Sequence, residues 1–143
     1  MGEVRESATH HETHFDFYAS YLQSVSKNNL HELREELRKF AEDRDWDQFH
    51  TVKNLLLALT GEVGELSEIF QWLDEGTINN LDDETRNRAK NEIADVLLYL
   101  VRIADKLGID LNEAAWNKLE INAEKYPVCL SKGNAVKYNR RKE

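Results

Sequence analysis

Apolar residues recur every three or four positions through most of the chain, and alternating strand-like runs are scarce. Leu30, Leu33, Leu37, Phe40 and Ala41 mark a first helix over about residues 30–45. Asn29 suits its cap, and Glu32, three positions on, completes a capping box. A second helix is predicted from about Thr51 to Asp74, with Gly76 as its stop. A third runs from Asp83 to Leu107, capped by Asp82 and closed by Gly108. The fourth starts after Asp110 and must end before Pro127, because proline cannot continue a helix. Four helices with short links predict an all-α fold, an antiparallel four-helix bundle. The divisions are an N-terminal arm over 1–28, a helical domain over 29–130 and a basic tail over 131–143.

Projected at about 100° per residue, Leu55, Leu59, Leu66, Ile69 and Leu73 share one face of the second helix. Glu62 falls in the middle of that face, Glu65 lies on its flank and Glu68 projects away. Ile93, Val96, Leu100, Ile103 and Leu107 form the stripe of the third helix, bordered by Glu92, Asp95 and Tyr99. An isolated ionised carboxylate in an apolar setting is costly unless paired, protonated or bound to metal. Glu62-x-x-Glu65 and Glu92-x-x-Asp95 each set two acids one turn apart, so antiparallel packing brings four together. Acids at this spacing are common on helix surfaces, paired with Lys or Arg. Two such pairs on adjoining apolar helices point instead to a shared divalent cation. Oxygen-only ligands suit Mg²⁺ or Mn²⁺. The Glu-x-x-His pairs of di-iron bundles are absent, and no nearby His or Cys favours zinc. Gly61 and Gly64 flank Glu62 at a cost of about 1 kcal/mol each in helix propensity. They imply close approach of a ligand or of a packed helix.

Composition adds limits. A chain of 143 residues suits one domain burying about 68–70% of its unfolded surface. Its 27 acidic residues outnumber 19 basic ones, for a formal charge of −8. That balance disfavours polynucleotide binding, which needs Lys and Arg against phosphates. It leaves room for a small anion that arrives with a cation. The one cysteine, Cys129, makes no internal disulfide, and no apolar run is long enough for a membrane span or a signal peptide. The expectation is a soluble, cytoplasmic protein, with nucleus and organelle not distinguished. His10, His11 and His14 read as part of a flexible arm rather than a metal tract, and Phe15 to Leu22 as a docking cluster. The tail, with Lys132, Lys137, Arg140, Arg141 and Lys142, reads as a solvated end rather than a localisation signal.

The run from Asn54 to Trp72, NLLLALTGEVGELSEIFQW, followed by EIADVLLYL from Glu92 to Leu100, resembles the MazG-like all-α nucleoside triphosphate pyrophosphatases. Within that family it is most similar to the dCTP pyrophosphatase branch. A spacer of 26 residues, Leu66 to Asn91, separates the paired acids. The resemblance extends from about Leu30 to Tyr138, including Arg44 to His50 and Lys125 to Ser131. It implies hydrolysis of a nucleoside triphosphate between the α- and β-phosphates. It implies Mg²⁺, with Mn²⁺ as a substitute, on Glu62, Glu65, Glu92 and Asp95, which are also the catalytic acids. Which of them is the general base stays open.

The resemblance places Trp46, His50, Trp72 and Tyr99 around the nucleotide. Aromatic faces stack on a base, while His50 and Asn54 read polar edges. Lys118, Asn122 and Tyr126 share a face of the fourth helix that suits phosphate or sugar; Trp116 lies off that face and reads as packing. The expected substrate is dCTP or a related or modified pyrimidine nucleotide. The expected assembly is a homo-oligomer, a dimer or tetramer. The alternatives are a non-catalytic nucleotide- or metal-sensing module, or the same chemistry on dUTP or a broad nucleotide range.

Overall fold

A computed structural model of the chain describes residues 30–140. Asn29, the N-terminal arm with its histidines and aromatic cluster, and residues 141–143 lie outside the described residues. The described chain is helical, with no strand: α1 Leu30–Glu42, α2 Val52–Phe70, α3 Glu75–Asn79, α4 Asp83–Lys106, α5 Leu111–Lys125 and α6 Val128–Ser131, then a 3-10 turn at Tyr138–Arg140. The four predicted long helices are α1, α2, α4 and α5.

Side-chain caps start most of them. Thr51 Oγ1 accepts from Asn54 N, Asp82 Oδ1 from Thr85 N, and Asp110 Oδ1 from Asn112 N and Glu113 N. Each such cap contributes on the order of 1 kcal/mol. Two helices close with the same device. Gly108 takes φ 65°, Ile109 N donates to Ala104 O and Gly108 N to Asp105 O, a Schellman motif. In α1 the left-handed position is Asp45, φ 52°, with Trp46 N on Ala41 O and Asp45 N on Glu42 O. The motif's usual apolar contact follows, Trp46 against Phe40 at 5.8 Å between ring centroids. So α1 stops at Glu42, short of the expected Asp45.

The second helix also ends early, at Phe70, and Gly76 is not its stop. Asp74 Oδ1 accepts from Thr77 N and starts the separate helix α3, which contains Gly76.

Helix α4 is the centre of the packing, against α2 broadly and α1 less so. Asp47 and His50, just before α2, meet Arg102 and Lys106 near the end of α4, while Glu62 and Glu65 meet Glu92 farther back. The two helices therefore run antiparallel. Among the described residues the buried apolar ones are few: Ala41, Leu55, Ile69, Ala89, Val101 and Ala104. The face of α4 turned inward carries Ala89, Glu92, Val96, Tyr99 and Ile103. Ile93, Leu100 and Leu107 of the expected stripe are exposed instead, and Leu97 joins them on the outer face. Helix α4 is apolar on two sides, and the described residues cover only one of them. Helix α5 has no buried residue and makes at most sparse contacts with the other helices. Trp116, expected to pack, is 62% exposed. No described helix is long and apolar enough to cross a membrane.

Candidate metal centre and nucleotide site

Glu62 and Glu65 sit one turn apart on α2, and Glu92 faces them from α4. Each offers a carboxylate oxygen, and the three oxygens lie within 4.8 Å of one another. Asp95 stands one turn on from Glu92 and adds its negative charge to the field at Glu62. Among the described residues no Lys, Arg or His forms an ion pair with any of these four acids, although such pairs occur elsewhere in the fold. Partial burial, then the charges of Glu65, Asp95 and Glu92, push the Glu62 carboxyl above the usual glutamate range. Burial and the charges of Glu62 and Asp95 likewise raise the Tyr99 phenol, which places it beside the cluster. An oxygen-only donor set that repels itself and has no cationic side chain fits a hard divalent cation such as Mg²⁺ or Mn²⁺.

The sign of the Glu62 shift gives a prediction. A carboxyl with a raised folded-state pKa binds its proton more tightly in the folded chain, so metal-free stability falls as pH rises through that value. Divalent cation added at neutral pH, at about 100 times its dissociation constant, is expected to raise the melting temperature by about 5–10 °C. In acid, with the carboxyls protonated, the gain should vanish. Thermal melts with and without Mn²⁺ at both pH values check this; a gain independent of pH would contradict it.

The other expected residues divide. Trp46 and His50 lie together, ring centroids 6.1 Å apart. Trp46 also packs on Phe40, and the Arg44 guanidinium covers the Phe40 ring at 3.5 Å. Asn54 Nδ2 donates to Phe49 O at 2.9 Å, tying the turn to the first turn of α2. Trp72, in the turn after α2, is 88% exposed. Lys118 is exposed and Asn122 half-buried on α5, which is nowhere packed closely on α2 or α4. Tyr126 packs edge-on against Tyr138, with Lys125 Nζ over that second ring. A Cβ built on Gly61 or Gly64 meets nothing within 4 Å among the described residues. Packing against the described residues is thus not what these glycines serve.

Sequence reasoning missed one cluster. Arg102, its side chain 5% exposed, donates to the carboxylates of Asp47 and Asp105 and to His50 Nδ1. Arg38 donates to Asp105 as well, and Lys106 Nζ reaches Asp47 at 2.6 Å. The network ties the Trp46–His50 turn to α4, the helix that carries Glu92 and Asp95. Its signal was legible: Arg102 is the one charged residue in the apolar run from Val96 to Ala104.

Paired acids facing each other across two antiparallel helices of an all-α chain define a helical, carboxylate-centred fold. The chain belongs to the MazG-like family, whose model matches residues 58–140. It is 45% identical over 111 residues to dCTP pyrophosphatase 1 of Rattus norvegicus, covering 76% of this chain and 65% of that protein. It is 44% identical over 115 residues to dCTP pyrophosphatase 1 of Bos taurus, covering 79% and 68%. The chain thus spans about two thirds of the length of the curated relatives it matches. A crystal structure of a pyrophosphatase from Archaeoglobus fulgidus superimposes with a TM-score of 0.65 at 36% identity, over 73% of this chain and 99% of that one.

Proposed function

We propose that the chain is a nucleotide pyrophosphatase that cleaves dCTP, and related or modified pyrimidine deoxynucleotides, to the monophosphate and pyrophosphate. The observation that carries this is the convergence of Glu62, Glu65 and Glu92, with Asp95 adjoining, and no cationic side chain paired with them among the described residues. The relatives named dCTP pyrophosphatase support the substrate. The catalytic unit is the domain over 29–130, acting in the cytoplasm.

Glu62, Glu65, Glu92 and Asp95 hold Mg²⁺, or Mn²⁺ in its place, and share the task of orienting the attacking water. A bound divalent cation supplies neutralisation of the triphosphate and of charge developing on the pyrophosphate leaving group. Trp46 and Trp72 offer stacking faces, His50 and Asn54 polar edges, and Tyr99 a phenol between base end and acids. Lys118, Asn122 and Tyr126 bind phosphate or sugar. Because α5 stands off its own bundle, those three belong to a site completed by a second copy of the chain.

A homo-oligomer, a dimer or tetramer, also accounts for the outer face of α4 that the described residues leave uncovered, with Ile93, Leu97, Leu100 and Leu107, and for exposed Trp116 on α5. Apolar faces of this extent mark interaction surfaces. At micromolar concentration, light scattering should give at least twice the chain mass; a monomer would contradict this.

The function itself is tested by a side-by-side nucleotide panel with Mg²⁺ and pyrophosphate detection. Release from dCTP ahead of the others is expected. A leading rate on dUTP, or a flat ranking, would overturn the substrate; binding without release of pyrophosphate from any nucleotide would defeat the enzyme.

A further inference from the structure

Arg102 enters from near the C-terminal end of α4 and spends its three nitrogens on three different groups. Nη2 donates to Asp47, Nη1 to Asp105 Oδ2 at 2.6 Å, and Nε to His50 Nδ1 at 3.4 Å. A guanidinium has donors only, so any ring nitrogen that meets its N–H must offer a lone pair. Nδ1 of His50 is then unprotonated, and the ring's one proton sits on Nε2. Among the described residues nothing bonds Nε2. The charged groups around the ring are Arg102 and Lys106 on α4 and Asp47 in its own turn. Partial burial and the two cations lower the His50 pKa against the opposing pull of Asp47, so the ring stays neutral at physiological pH. Asp47 is gripped by both Arg102 and Lys106, which fixes the turn that carries Trp46 and His50.

We propose that Arg102 is a positioning residue for the nucleoside end of the site, holding His50 as its Nε2–H tautomer so that a hydrogen-bond donor is presented to the base. The inference rests on the functional reading above, which puts His50 beside the nucleotide. A donor at Nε2 suits an acceptor on a pyrimidine, its ring carbonyl or unprotonated ring nitrogen. Arg102 touches no ligand in this scheme. It acts through His50, and through Asp47 it holds the turn at a fixed distance from Glu92 and Asp95 on the same helix.

The test joins nitrogen NMR of the imidazoles with kinetics of Arg102→Lys. Lysine keeps the charge and can pair with Asp105 or Asp47, but its single nitrogen does not serve those acids and His50 together. In the wild-type chain the His50 spectrum should show a bare Nδ1 and a protonated Nε2. In R102K the ring should become a mixture of tautomers. KM for dCTP should rise about five- to tenfold, the scale of one weakened hydrogen bond, with kcat within about twofold. A protonated Nδ1 in the wild type overturns the inference, and that spectrum decides it even if R102K does not fold. A changed tautomer with unchanged KM overturns it too, as does a loss that falls on kcat alone. A wild-type chain with no turnover sinks the functional reading. A chain that turns over dCTP while R102K leaves KM unchanged sinks this inference alone.

Discussion

Glu62→Gln is expected to cut pyrophosphate release from dCTP by at least about 10²–10³-fold while leaving helical content unchanged. The amide keeps the shape of the side chain but removes the charge, and its NH₂ group repels a cation. Glu62 is half-buried, as Glu92 is, and faces Glu92 across the helix interface, so exposed Glu65 does not move easily into its place. Its loss relieves repulsion among the remaining acids. The melting temperature of the metal-free variant should therefore stay level or rise, which separates lost chemistry from lost fold. Glu92→Gln should behave alike. Glu68→Gln is the control, since Glu68 is exposed on the opposite side of α2 and should keep full activity. Steady-state rates with saturating Mg²⁺ read the effect. An E62Q variant within about threefold of wild type would contradict the assignment of these acids.

Asp105→Ala is expected to cost about 3–5 kcal/mol of stability, because it leaves the buried Arg102 short of a partner. The Asp105 side chain is 6% exposed and sits between Arg102 and Arg38, with Arg34 at 4.0 Å. Burial alone would push its carboxyl up. The Arg38 hydrogen bond and the charges of Arg38, Arg102 and Arg34 outweigh burial and hold it below the usual aspartate range. A depressed carboxyl contributes stability above its unfolded-state pKa, and that contribution is lost as pH falls through the folded-state value. Wild type should lose stability along that acid limb, and D105A should lack this part of the loss. Urea unfolding at fixed protein concentration and several pH values measures both. A cost under about 1 kcal/mol would show that the network adds little to the fold.

The helical order and the acidic cluster were legible because both rest on short-range rules. Apolar period at α2, Asp before α4 and α5 and Gly108 after α4 are local signals, and the structure follows them. The end of α1 was hidden because its left-handed residue is Asp45, where a glycine would have announced the stop. The end of α2 was hidden for a related reason: Gly76 looks like a terminator, but the Asp74 side chain starts a new helix around it. The outward turn of Ile93, Leu100 and Leu107 was unreadable from period alone. A helix apolar on two sides does not say which side its own chain covers. The Arg102 network joins residues more than fifty positions apart, and only the lone charge within the Val96–Ala104 run hinted at it.

Hydrolysis of dCTP in water enriched in heavy oxygen, with Mg²⁺ present and both products weighed by mass spectrometry, decides where the bond breaks. Attack at the α-phosphorus puts the label in dCMP and leaves pyrophosphate unlabelled. Label in pyrophosphate, release of orthophosphate, or no turnover with either Mg²⁺ or Mn²⁺ would contradict the proposed chemistry.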